Sequence, residues 1–134
     1  MKNEKVQRGD IVLANIKNVD GSVQKNRRVF CIISNNKANL NSPVVTAVAL
    51  SARVQKKRYL PTHKLIPLKS MDRYEDSNVE DFELKDSIAL CEQIFSLDYC
   101  QIDSKVAAIK DEKVLEDITE GIKVQVGIYP EYNK

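Results

Sequence analysis

From the N-terminus to about residue 109 the chain alternates short apolar blocks with polar, turn-rich stretches; from residue 111 its apolar residues recur at helical spacing. The blocks DIVLANI (residues 10–16), RVFCIIS (28–34) and VVTAVALSA (44–52) each have the length and composition of a β-strand. The second is almost wholly apolar, which predicts a strand covered on both faces. Between them lie NVDGSVQKN (18–26), which holds an Asp-Gly pair, and the Asn-dense NNKANLNSP (35–43), and both are expected to be loops. A short fourth strand is expected at KLIPL (64–68), where Pro67 favours a sheet edge because it has no N–H to give. Residues 69–83 are polar and acidic and read as an exposed loop or insertion. DSIALCEQI (86–94) is expected to form a fifth strand, SLDYCQI (96–102) one helical turn and SKVAAI (104–109) a further short strand.

At Asp111 the period changes. Val114, Leu115, Ile118 and Ile122 fall on one helical face, and Asp111 is placed to cap the first turn. Gly121 weakens this helix without excluding it, and Pro130 ends the apolar pattern. Strands first and one amphipathic helix last give an α+β fold: a strongly curved or partly closed antiparallel sheet with the helix packed on it.

A length of 134 residues suits one domain, taken as 1–134, with one real core. At 43% hydrophobic and 30% charged residues the composition is that of a soluble globular protein. No apolar run is long enough to span a membrane, and the polar opening MKNEKVQRGD has no signal-peptide core, so a cytoplasmic protein without membrane contact is expected. Cys31 and Cys91 lie inside apolar runs and are expected to pack as small hydrophobes; with Cys100 they make an odd number without C-x-x-C spacing, so neither metal nor disulfide is expected.

The net charge of +2 neither demands nor excludes a nucleic-acid partner; what matters is where the charges sit. Acidic residues gather between Asp72 and Asp86 and from Asp111 to Glu120. Basic residues gather at Lys25, Arg27 and Arg28, and again at Arg53, Lys56, Lys57 and Arg58. Arg27 and Arg28 stand directly against the apolar second strand, which places fixed positive charge at the entrance to the core. Either basic cluster alone would read as a solvated loop.

Five segments in order give these charges a meaning. They are QRGDIVLANI, GSVQKNRRVFCIISNN, NLNSPVVTAVALSA, LPTH and DSIALCEQI. Together they resemble the MazF/PemK type of toxin from bacterial toxin–antitoxin systems, whose pattern runs R-G-D, then G-S-x-Q-x-x-x-R-P, S-P, P-T-H and D-S-x-x-x-x-E-Q-I. The resemblance extends from Gln7 to about Ile128. It implies an SH3-like antiparallel barrel of the CcdB/PemK kind, with added helices, and sequence-specific cleavage of single-stranded RNA (mRNA) without a metal ion or other cofactor. It also implies a homodimer, inhibited by a MazE-like antitoxin whose C-terminal segment lies in the RNA groove. The family's arginine at the start of the second strand falls on Arg28, and its hydroxyl residue at the end of the third falls on Ser51. Its loop Gln falls on Gln24 and the Gln of E-Q-I on Gln93. Lys25, Arg27, Arg53, Lys56 and Lys57 are the further candidates for RNA binding. The chain departs from the pattern at Val29, where the family usually has Pro, at Lys25 and Asn26, which align with Gly-Gly, and in a longer acidic stretch between Leu68 and Leu84.

The chemistry fits these residue types. Metal-free RNA cleavage sends the ribose 2′-hydroxyl against the adjacent phosphorus, so negative charge builds on the phosphorane. A two-histidine acid–base pair within one chain is excluded, because His63 is the single histidine. A guanidinium can give two parallel hydrogen bonds to phosphate oxygens and stays charged at any working pH. Ser51 offers a hydroxyl to the same phosphate, less rigidly held than a Thr hydroxyl would be. His63 reads as structural, Glu92 and Gln93 also suit the satisfaction of loop backbone groups, and Tyr59 suits either base stacking or packing. Two alternatives stand beside the ribonuclease: a catalytically weakened relative that only binds antitoxin, RNA or protein, and a gyrase-targeting toxin of related fold.

Overall fold

The computed structural model describes residues 5–16, 26–54, 60–75 and 82–129. In chain order these form β1 (Asp10–Ile16), β2 (Asn26–Ile32), α1 (Asn36–Asn41), β3 (Val44–Ser51), β4 (His63–Ile66), β5 (Met71–Arg73), β6 (Ser87–Asp98), β7 (Ile102–Ile109) and α2 (Glu112–Gln125). The strands make one antiparallel sheet in the order β4-β6-β3-β2-β1-β7-β5.

The chain itself forces that sheet to curl. β4 and β5 are the two ends of the order, six strand intervals apart, which on a flat sheet is about 29 Å. Yet Ile66 and Met71 are joined by five residue steps, which reach about 17 Å at most. The sheet is therefore wrapped toward a barrel, with its two edges brought close at this connection. Among the described residues no hydrogen-bonded pairing joins β4 to β5, so the barrel is left open along that seam.

Each face of the sheet has its own apolar cluster. Ile11, Leu13, Cys31 and Val48 meet Val114 and Ile118 of α2 on one face. Val12, Phe30, Ile32, Val45 and Leu97 meet on the other. β2 is thus covered on both faces, as its apolar run predicts, and Phe30, Cys31 and Ile32 are fully buried. An isolated helix of this length is marginal in water. Burial of Val114 and Ile118, at about 1.5–3 kcal/mol for a side chain taken fully out of water, stabilises α2 where it lies. Asp111 caps it as expected, its side chain accepting from the Lys113 N–H. Gly121 faces the sheet, where a Cβ would stand 2.8 Å from Cys91 Sγ, so a glycine that weakens the helix is what lets it dock. Burial pushes the Cys31 and Cys91 thiols up to about 12, which keeps both protonated and apolar in character.

The structure corrects the expected elements at three places. Residues 35–43 are not a loop: they hold α1, because the Asn35 side chain accepts the Ala38 N–H at 2.8 Å and caps a helix, the other structure that an Asn-rich stretch favours. The stretch 69–83 is not wholly an exposed loop: it opens with a 3₁₀ turn, Leu68–Ser70, and then β5, whose Met71 is buried and pairs with Ile109. β6 continues to Asp98 rather than ending near residue 94, so the helical turn expected from 96 begins at Tyr99, capped by Asp98. Pro67 does sit just past an edge strand. Of the expected loop 18–26, only Asn26 lies within the described residues, and it opens β2; Pro130 lies outside them.

The segment Arg8-Gly9-Asp10 proves to be a structural joint. Gly9 takes a φ of +95°, which favours glycine, and a Cβ there would meet Leu115 Cδ2 at 3.2 Å. Arg8 donates through Nη2 to the Leu115 carbonyl and to Thr119 Oγ1, tying β1 to α2. Asp10 is 1% exposed. Its carboxylate accepts from the Gln7 N–H at 2.8 Å and from the Tyr74 hydroxyl at 2.6 Å, with Lys105 Nζ 3.8 Å away.

Candidate functional site

Arg28 leaves β2 on the face that carries Phe30. The two are separated by two residues, so strand alternation puts them on one side, and the guanidinium carbon lies 5.9 Å from the centre of the Phe30 ring. It also lies 5.7 Å from the centre of Phe95 on β6. Gln93 Oε1 accepts a long hydrogen bond, 3.4 Å, from Arg28 Nη2. Among the described residues no carboxylate comes within 4.0 Å of this guanidinium. The positive charge at the entrance to the core is therefore held over aromatic rings, exposed and, among the described residues, not paired with an acid.

Ser51 ends β3 on the same face. The last β2–β3 pair is Phe30 with Ala49, and Arg28 and Ser51 each lie two residues beyond it, past the end of the paired stretch. Ser51 Oγ accepts the Arg53 N–H at 3.1 Å, which fixes the oxygen and leaves its proton to donate outward. The two residues that the sequence pattern singled out thus lie on one face of the sheet, and Arg53 follows at the start of the segment that leads to the basic cluster.

An irregularity in β6 aims the next two side chains. Val48 pairs with Ile94 and Ala49 with Leu90, so Cys91, Glu92 and Gln93 bulge out of the ladder. Gln93 turns to Arg28, and Glu92 turns to β4. There Thr62 Oγ1 donates to Glu92 Oε1 at 2.8 Å, and His63 Nε2 lies 3.0 Å from Glu92 Oε2. His63 Nδ1 accepts the Leu60 N–H at 3.2 Å, which puts the imidazole proton on Nε2, where it donates to Glu92. Both ring nitrogens are engaged, so His63 anchors the foot of the segment that follows residue 59. His63 pairs with Leu90, Leu90 with Ala49 and Ala49 with Phe30, so this anchor shares a face with Arg28 and Ser51.

This anchor carries a pH signature. Burial pushes the Glu92 carboxyl up, but the hydrogen bonds from His63 and Thr62 outweigh it and hold the group below its ordinary value. A carboxyl held lower in the folded than in the unfolded state adds stability above its unfolded pKa and loses it as pH falls through the folded one. Replacing Glu92 with Ala is expected to cost about 2 kcal/mol near pH 7. In urea unfolding curves the difference from wild type should shrink below about pH 4. A difference that stays constant from pH 7 to pH 3 would rule out the charged Glu92 as the anchor.

The remaining sequence candidates divide clearly. Arg27 is exposed but alternates to the opposite side of β2 from Arg28, where Val29 and Cys31 face α2. Gln24, Lys25, Lys56 and Lys57, with Arg58 and Tyr59, lie outside the described residues. Among the described residues no group of three or more His, Cys, Asp or Glu is gathered as a metal site would require. The sequence reading missed Phe95, and it missed the joining of Thr62, His63 and Glu92. The doubled signal of P-T-H and E-Q-I pointed to the latter two segments but not to their contact.

Comparison with known proteins gives the family and agrees with the fold. The sequence model of the family described as the PemK-like, MazF-like toxin of type II toxin–antitoxin systems matches residues 7–126. The chain is 32% identical over 124 residues to the endoribonuclease MazF of Staphylococcus saprophyticus, covering 92% of this chain and 93% of that one. Among solved structures, a MazE–MazF crystal structure from Deinococcus radiodurans superposes with a TM-score of 0.67 at 14% identity, covering 92% of this chain and 98% of that one. An endoribonuclease in complex with its cognate antitoxin from a mycobacterial species superposes with a TM-score of 0.63 at 15% identity, covering 92% and 97%. At those identities the two structures speak for the fold.

Proposed function

This chain belongs to the PemK-like, MazF-like toxins of type II toxin–antitoxin systems, and on that footing we propose that it is an endoribonuclease that cuts single-stranded RNA at defined sequences without a metal ion. One observation supports the assignment of the site: an exposed guanidinium, Arg28, is held on aromatic rings with no ion-pairing acid among the described residues, on the sheet face that also carries Ser51 at the end of β3. In the reaction the ribose 2′-hydroxyl gives up its proton as its oxygen bonds to phosphorus, the bond from phosphorus to the 5′-oxygen breaks, and the 5′-oxygen takes up a proton and leaves as a hydroxyl. Arg28 donates two N–H groups to the non-bridging oxygens as charge builds there, and Ser51 donates a third hydrogen bond. Gln93, Arg53 and the basic residues 56–58 contribute affinity for the strand, through polar contact and phosphate attraction.

The functional unit in this reading is a cytoplasmic homodimer of one toxin domain, 1–134, kept silent by a MazE-like antitoxin. No helix among the described residues is long and apolar enough to cross a membrane. The antitoxin complex of the mycobacterial relative supports a partner of that kind.

The route of attack is tested with a short RNA that spans a mapped cut, made with and without a single 2′-deoxynucleotide on the 5′ side of the scissile phosphate, in the presence of EDTA. The all-ribose strand should give a 5′-hydroxyl fragment and a 2′,3′-cyclic phosphate, and the deoxy strand should stay whole. Equal cleavage of both strands would exclude 2′-hydroxyl attack.

A further inference from the structure

Phe95 is the residue at the site that no motif assigned, and its place follows from β3. The β3 residues between β2 and β6 on this face are Ala47 and Ala49: Phe30 pairs with Ala49, and Ala47 pairs with Phe95. Two alanines leave room for rings from the flanking strands to meet over the strand between them. They do so edge to face, with centres 5.1 Å apart and planes at 70°. Phe30 is fully buried, whereas Phe95 is partly exposed and forms the outer wall of the pair. The Arg28 guanidinium lies against both.

An arginine side chain has several free torsions, and a donor that must meet a developing phosphorane works best when it is already in place. A carboxylate partner would fix it but would cancel the charge that the phosphate needs. An aromatic face fixes it and leaves the charge intact, because the attraction is to the ring quadrupole and engages none of its N–H groups. The geometry points to Phe95 as a positioning residue: its ring face orients the Arg28 guanidinium toward the scissile phosphate. This rests on the proposed role of Arg28. Phe30 shares the contact but is committed to the core, so Phe95 is the position through which the arginine is tuned. Gln93 completes the cradle as a neutral acceptor.

The test compares Phe95→Leu, Phe95→Met and Phe95→Tyr with wild type, using single-site RNA cleavage and the affinity for the same RNA blocked by a 2′-deoxynucleotide at the cut. Phe95→Leu and Phe95→Met keep apolar volume without a ring face, and Phe95→Tyr keeps the face. Leu and Met should lower kcat about tenfold with KM changed less than about twofold, and Tyr should restore kcat to within about twofold of wild type. In the blocked-RNA assay, Phe95→Leu should leave affinity within about twofold of its parent, in the wild-type and the Arg28→Ala backgrounds alike. A wild-type kcat in both Leu and Met, failure of Tyr to rescue, or an equal loss of affinity in both backgrounds would each overturn the inference. Should the Leu variant not fold, the Met and Tyr pair decides alone. Full cleavage by Arg28→Ala would instead overturn the site on which the inference stands, whatever Phe95 does.

Discussion

Arg28→Ala should lower RNA cleavage by at least about 10²–10³-fold while leaving the fold intact. The guanidinium is exposed, its contacts are two ring faces and one long hydrogen bond, and no described acid depends on it. Its removal therefore leaves no buried group unpaired, and circular dichroism and thermal melting should match wild type. Arg28→Lys keeps the charge but loses the planar fork, so it should retain only a small part of the activity. Single-turnover cleavage of a labelled RNA measures both. An Arg28→Ala protein with wild-type rates would place the chemistry elsewhere.

The largest effect on stability should come from Asp10→Ala. The substitution strips partners from the Tyr74 hydroxyl, the Gln7 N–H and the Lys105 ammonium together, at a position with 1% exposure. Removing one member of such a buried charged network costs about 3 kcal/mol or more. Asp10→Asn, which keeps an acceptor for Tyr74 and loses the charge, should cost roughly half as much. Urea unfolding at constant m-value reads this as a fall in midpoint. A loss below about 1 kcal/mol for Asp10→Ala would mean that water replaces the carboxylate and that the joint does not hold β1 to β5 and β7.

These two residues mark what a single sequence tells and what it withholds. Arg28 was legible because charge against an apolar strand is a local anomaly, and the family pattern gave it a role. Asp10 and Arg8 were legible as parts of a motif but not as a joint, because their partners Tyr74 and Thr119 lie 64 and 111 residues away. Helix α2 was readable from its own period, down to the cap at Asp111 and the awkward Gly121, since both signals are local. β5 was not, because three residues carry no period, and their strand character comes from pairing with β7. α1 was missed because asparagine favours a turn and a helix cap alike, and only the capped Ala38 N–H distinguishes them. The cradle of Arg28 was hidden for the same reason as β5. Phe95 and Gln93 reach the arginine only after the three-residue bulge re-aims β6, and a bulge has no sequence period of its own.

The measurement that bears most directly on the whole account is end mapping of a long single-stranded RNA after incubation with the purified protein in EDTA, with wild type and Arg28→Ala run side by side. Discrete cuts at a recurring sequence are expected with wild type and none with the variant. Intact RNA after incubation with well-folded wild type, across several diverse transcripts, would contradict it and leave a protein that binds without cutting. The same cuts from Arg28→Ala would contradict it in the other direction, keeping the nuclease and removing its proposed centre.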